Sequence, residues 1–184
     1  MKNIYKILTI VLFGFTIAIT SCKKEETIIE GCTDSSSMNY LSTANSNDGS
    51  CIVAYDIAQG IWNISSACED LVISIPIVGE FPVPLNDIFS DTIVEITGEG
   101  AGVVSLDVNG GNVLADIAND GTVTIQDEQT ISFDTGGFGV FDVNITGLGK
   151  IETATNGDLT LNLAFEVPLA GTQSSSCEIA FTNK

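Results

Sequence analysis

The chain has 184 residues, room for one domain with short accessories, and carries 24 acidic residues against 6 basic ones. It has no Arg and no His, and from Cys22 onward only Lys23, Lys24, Lys150 and Lys184 oppose the acids. Such a charge repels phosphate backbones, which argues against nucleic-acid binding, and the missing imidazole removes the commonest general acid–base.

Lys2 and Lys6 frame a basic start. An apolar run over residues 7–19 follows, then a polar exit at Thr20, Ser21 and Cys22. A basic start, an apolar stretch too short to span a bilayer and small residues at the exit describe a secretory signal peptide, placed over 1–21. Ile19, Thr20, Ser21 and Cys22 resemble the lipobox of bacterial lipoproteins, with Ile where Leu is usual. The resemblance implies acylation of Cys22 and a partner in the membrane, through an anchor in the outer membrane of a bacterial cell envelope. Lys23, Lys24, Glu25 and Glu26 resemble the charged stretch that certain Gram-negative lipoproteins use for export to the cell surface. Several acyl chains, at roughly 0.8 kcal/mol per buried methylene, would hold such a protein stably. Residues 22–30 are then a lipidated tether.

Four cysteines remain once Cys22 is assigned to lipid: Cys32, Cys51, Cys68 and Cys177. An even number in an exported chain points to disulfides, with three connectivities open. The simplest pairs Cys32 with Cys51 and Cys68 with Cys177. Residues 31–57 read as a small polar stalk segment. Within it Asp34, Asn45, Asn47 and Asp48 offer hard oxygens that suit Ca²⁺. The spacing is not that of an EF-hand, only two carboxylates fall inside the loop, and no His is present for Zn²⁺. The expectation is therefore a disulfide clip without metal or cofactor. The entropic estimate for closing so long a loop is about 3 kcal/mol, which a segment too small for its own core needs. Gly31, Cys32, Thr33, Asp34, Asn39, Tyr40, Ala44, Asp48, Gly49, Ser50 and Cys51 resemble a short motif of secreted bacterial surface proteins; Ser35 and Asn47 stand where Pro and Asp are expected.

From residue 58 to 184 the pattern becomes period-2. Leu159, Leu161, Leu163, Phe165 and Val167 share one face, with Thr160, Asn162 and Glu166 on the other. Similar runs cover 112–118, 122–125, 130–133 and 142–146. Turn signals separate them at Asn109-Gly110-Gly111, Asn119-Asp120-Gly121, Gly136-Gly137 and Asn156-Gly157-Asp158. A switch of apolar face between Val140 and Phe141 predicts a β-bulge. Three prolines within residues 75–85 bar that apolar stretch from a central strand, so it lies over a barrel mouth or plugs a core edge. The fold class is all-β: an antiparallel meander barrel of 8–10 short strands, with a β-sandwich as the alternative. Cys68 and Cys177 fall on the apolar parity of the first and last strands, so a bridge between them would tie the sheet shut.

Gly60, Ile61 and Trp62 resemble the Gly-x-Trp signature at the first strand of lipocalins and wider calycin barrels. The resemblance implies that Trp62 packs across the closed end of a barrel. The chain departs from lipocalins in lacking the C-terminal helix and the basic residue that covers the Trp. No catalytic residues are expected. Ser and Cys lack a base, Gly147 to Lys150 read as a Gly-rich turn without a phosphate-loop context, and Glu69-Asp70 and Asp127-Glu128 lie in polar turns. The functional expectation is a barrel holding a small apolar ligand or meeting a surface protein. The alternative is a structural or adhesive module whose interior is filled by side chains such as Phe89, Phe133, Phe138, Phe141, Phe165 and Phe181.

Overall fold

The computed structural model describes residues 26–183 except 76, 78, 84, 88–92, 109, 128, 135–139 and 168–169. Two short parallel strands, β1 (Glu30–Gly31) and β2 (Ser46–Asn47), lie in the clip and lead to a helix, α1 (Ala54–Ala58). β3 (Gly60–Cys68) opens the barrel. β4 (Leu71–Ile75) and β5 (Gly79–Val83) form a separate antiparallel hairpin, followed by a 3-10 turn at Leu85–Asp87. The remaining strands are β6 (Ile93–Gly100), β7 (Val103–Val108), β8 (Gly111–Ile117), β9 (Thr122–Ile125), β10 (Gln129–Asp134), β11 (Val140–Thr153), β12 (Asn156–Val167) and β13 (Gly171–Asn183).

Around the wall the order is β3, β6, β7, β8, β9 with β10, β11, β12, β13 and back to β3. β9 and β10 lie end to end along β11 and count as one stave. The domain is thus a closed eight-stranded antiparallel barrel of the lipocalin type, and the sandwich alternative is not what forms. Closure pairs the first strand with the last, which removes the two end edges an open sheet would have.

Alternation decides which side of each strand faces in. Trp62 in β3, Val143 and Ile145 in β11, Leu159 to Val167 at odd positions in β12, and Cys177, Ile179 and Phe181 in β13 are all buried. They join Val94, Ile96, Val104, Leu106, Val113, Ala115, Val123, Ile125 and Ile131 in one apolar cluster. Thr160, Asn162, Glu166 and Glu178 face outward and are exposed. The apolar side is inside, the inverse of a membrane-spanning barrel's lipid-facing band. Among the described residues no helix is long and apolar enough to cross a membrane.

The structure corrects several sequence expectations. The last three strands are not short: they run 14, 12 and 13 residues. No bulge falls at Val140 and Phe141, because the β10–β11 ladder is unbroken from Gln129↔Ile145 to Asp134↔Val140. The apparent switch of face arises because Val140 is apolar yet points outward, 66% exposed. Ladder irregularities occur instead between Gly98 and Gly100 and between Ile151 and Thr153. Asn156 and Gly157 are not turn residues but the start of β12. The turn is set one step earlier, where the Thr153 hydroxyl accepts the amides of Thr155 and Asn156. Gly147 to Lys150 form no turn either. They lie inside β11, where Gly149 opposes Leu159 on one side and Val123 on the other. Helix α1 carries no signal in the sequence, since one turn is too short to show a helical period. The Gly136-Gly137 signal lies outside the described residues.

The two glycines of β11 explain how so long a strand bends round the wall. A Cβ on Gly147 would meet Leu161 Cδ2 and the Thr160 carbonyl oxygen at 2.9 Å. A Cβ on Gly149 would fall within the radius of the Asp158 carbonyl oxygen. Both positions face inward at a tight bend, where only glycine fits. We expect Gly149→Ala to lower the unfolding free energy by about 1–3 kcal/mol in urea denaturation. Leu148→Ala, at the outward neighbour, should shift it by less than about 0.5 kcal/mol.

Candidate functional site

The barrel interior is filled by one contiguous cluster of buried apolar side chains, and its two ends are built differently. At one end α1 crosses below the wall. Ala54 and Ala58 are fully buried, and the Trp62 indole N–H donates to the Ala58 carbonyl at 2.8 Å. Trp62 is 1% exposed and meets Phe181 edge-on, with ring centroids 6.2 Å apart. The Tyr55 hydroxyl accepts the Gly100 amide at 2.8 Å and fixes the helix to the β6–β7 turn. Trp62 therefore sits at the α1 end of the barrel. It is covered by α1 rather than by a basic residue.

The opposite end is roofed by the β4–β5 hairpin. Ile73, Val83 and Leu85 belong to the core cluster, so the hairpin points apolar side chains into the barrel. The proline-rich stretch thus lies over a mouth, as its composition suggested. Asn86 holds the roof in place: its Oδ1 accepts the Cys68 amide at 2.9 Å and its Nδ2 donates to the Cys68 carbonyl. Nothing in the sequence marked Asn86 beyond its place after an apolar, proline-bounded run. Below the hairpin, inward-facing Ser66, Cys68, Val108 and Phe141 are only partly buried. Beside them the Ser175 hydroxyl donates to the Glu69 carbonyl. Among the described residues, β3 and β6 pair from Gly60↔Ile96 to Asn63↔Ile93, and β6 and β7 from Gly100↔Val103 to Ile96↔Leu106. Phe141 and Phe165 stand at this end, ring centroids 6.4 Å apart. Of the other phenylalanines named from sequence, Phe181 lies at the α1 end, the Phe133 side chain is not among those described, and Phe89 and Phe138 lie outside the described residues.

Both expected cysteine pairs are bonded. Cys68 and Cys177 face one another directly in the β3–β13 ladder, with Cα atoms 4.0 Å apart. Cys32 and Cys51 close the clip, Cα atoms 4.8 Å apart. Cys22 lies outside the described residues.

Inside the clip the four candidate Ca²⁺ ligands are each engaged locally. Asp34 accepts the amide and hydroxyl of Ser36. Asp48 accepts the Ser50 amide and Asn47 the Gly49 amide. Asn45 accepts the Ile29 amide and donates to the Thr27 carbonyl. These are turn and tether contacts, and among the described residues no three His, Cys, Asp or Glu side chains are grouped as a metal site would need. Asn39, read from sequence only as part of a motif, has a larger part. Its amide group donates to the Ser50 carbonyl and its oxygen accepts the Ile52 amide, at 2.6 and 2.8 Å, bracketing Cys51. The clip meets the barrel through Met38, whose methyl group lies against Gly121 in the β8–β9 loop.

The acidic pairs stand where the sequence placed them. Glu69 and Asp70 are exposed between β3 and β4, and Asp127 is exposed between β9 and β10; Glu128 lies outside the described residues. A shallow groove of about 360 Å³ on the outer wall is lined by outward residues of β3, β12 and β13, among them Ser65, Ala67, Asp158 and Glu178. No known protein family's sequence profile matches the chain, and no curated protein matches it in sequence.

Hydrogen bonds from the Ser36 hydroxyl and amide hold the Asp34 carboxyl below the usual range. Ser50 does the same for Asp48, and Thr122, chiefly through its backbone amide, for Asp120 in the β8–β9 loop. A carboxyl depressed in the folded state contributes stability above its unfolded pKa and loses it as pH falls through the lower folded value. The clip turns should therefore hold at neutral pH and loosen only well below about pH 4. Amide shifts of Ser36, Ser50 and Thr122 in NMR titration should move with midpoints under the ordinary Asp value of about 3.9; midpoints at or above it would contradict the turn geometry. Asn39→Ala should weaken the clip by about 0.5–1.5 kcal/mol and speed reduction of Cys32–Cys51 by dithiothreitol, leaving reduction of Cys68–Cys177 unchanged.

Proposed function

We propose that this chain is an exported, non-catalytic protein of the bacterial cell envelope, anchored in the outer membrane through an acylated Cys22. Its barrel binds one small apolar ligand at the end roofed by the β4–β5 hairpin. The observation that carries the reading is the incomplete burial of four inward side chains under the hairpin. Ser66, Cys68, Val108 and Phe141 are only partly buried there, beside fully buried Cys177 and Val143, whereas Trp62 at the other end is 1% exposed. An apolar floor with a few polar groups at the rim is the usual make-up of a small-molecule pocket. The lipid anchor is supported by the basic, apolar and polar order of the residues up to Cys22. The polar outer face and the acidic surface favour neither nucleic acid nor a catalytic cleft.

One observation favours a second reading. The inward side chains make a single contiguous cluster, and Phe141 and Phe165 stand together at the hairpin end. A barrel filled by its own side chains would serve as a structural or adhesive surface module. Native mass spectrometry of the full chain purified from its own host separates the two. The ligand reading expects a co-purifying small molecule. It also expects saturable one-to-one binding of the apolar fluorophore N-phenyl-naphthylamine after ligand removal, weakened about tenfold or more by Ile73→Asp. A bare mass together with absent saturable probe binding establishes the filled module instead.

A further inference from the structure

The clip carries an unusual share of exposed apolar surface. Of the twelve large apolar side chains exposed among the described residues, six lie between residues 28 and 53: Ile28, Ile29, Tyr40, Leu41, Ile52 and Val53. These exposures hold with the barrel in place. Part of this surface is demonstrably continuous. Leu41 packs directly over Gly31, with its Cδ2 2.9 Å from where a Cβ would stand, and Ala44 lies beside it. Ile29 stands just before β1, and its carbonyl accepts the amides of Asn45 and Ser46. A segment this small, closed by a disulfide and rich in Ser, Asn and Asp, gains nothing in water from turning isoleucine and leucine outward.

The chain supplies the occupant. Cys22 precedes Ile28 by six residues, and an extended chain spans at most about 3.3–3.6 Å per residue, so Ile28 lies within roughly 20 Å of Cys22. The tether begins on this same surface. We propose that the outer face of the clip beds into the headgroup layer of the bilayer that holds Cys22. The barrel then stands with α1 toward the membrane and the β4–β5 hairpin directed away. The inference rests on the anchor reading given above and adds an orientation to it. Glu26, Glu30, Asp34 and Asp48 lie in or beside the clip, so the matching lipid is zwitterionic rather than anionic, and apolar burial rather than charge makes the contact. The ligand-binding mouth consequently opens away from the lipid.

The test uses the full chain, acylated in its host and reconstituted in vesicles of phosphatidylcholine brominated near the headgroup end of the acyl chains. Ile29→Trp, Ile52→Trp and Ile77→Trp are compared, the last at the exposed tip of the β4–β5 hairpin; buried Trp62 gives a constant background. The orientation expects quenching at 29 and 52 to exceed that at 77 by about twofold or more. Peptide mapping of each variant confirms that Cys32–Cys51 is closed, so a misfolded clip is recognised and the paired variant decides. An acyl mass on the Cys22 peptide with equal quenching at all three positions overturns the orientation and leaves the anchor standing. A Cys22 peptide without acyl mass overturns both.

Discussion

The structure depends on one seam. The other ladders in the wall join strands that follow one another in the chain, apart from the roofing hairpin between β3 and β6 and from β9–β11, where β10 continues the same stave. The β3–β13 ladder alone joins the beginning of the domain to its end. Seven residue pairs, from Asn183↔Trp62 to Cys177↔Cys68, hold it. Unpaired, β3 and β13 would each expose a row of amides and carbonyls, and the apolar inner face would lie open to water. The Cys68–Cys177 bond sits at the far end of this ladder, with Asn86 clamped to the same residue, so seam and roof are fixed at one point. By the entropic account, a cross-link separated by 109 residues contributes about 4–5 kcal/mol.

The asymmetry of the two ends derives from this seam. Trp62 is near the start of β3 and Cys68 at its finish, so one strand carries both the aromatic plug and the disulfide, at opposite mouths. The clip and α1, which precede β3 in the chain, close the Trp62 end. The hairpin, which comes directly after β3, covers the Cys68 end. A closed end can be packed tightly because α1 is short and its Ala54 and Ala58 intrude little. A hairpin joined through a few apolar contacts and one asparagine encloses its end less completely, and the partial burial of Phe141 and Val108 reflects that.

Much of this was legible in residue order. Period-2 alternation identified β12 and the burial of its odd positions, and the parity of Cys68 and Cys177 predicted a bridge that closes the sheet. The misses have physical causes. Val140 is apolar but outward, so a rule reading apolar as inward placed a bulge where the ladder is regular. Gly147 and Gly149 looked like a turn because glycine marks both turns and tight bends, and only the opposing backbone of Asp158 and Thr160 tells them apart. Asn156-Gly157 carried a hairpin signature, yet the Thr153 hydroxyl captures the turn first. Asn39 and Asn86 act through backbone groups far along the chain, a kind of contact that no local pattern encodes. The candidate Ca²⁺ ligands were chosen by chemistry alone; the fold commits Asp34, Asn47 and Asp48 to the turn two residues on and Asn45 to the tether at Thr27 and Ile29.

One stave of the wall is made of two pieces. Between Val123 and Ile131 the β9–β10 stave uses eight residue steps, while β11 opposite, from Gly149 to Val143, uses six. The surplus is taken up between Ile125 and Gln129, outside both strands. Each piece takes its facing from its own ladder, Ile125 opposite Ala115 and Ile131 opposite Val143, so both isoleucines face the core. Residues added at the break would lengthen a connection without turning either piece over.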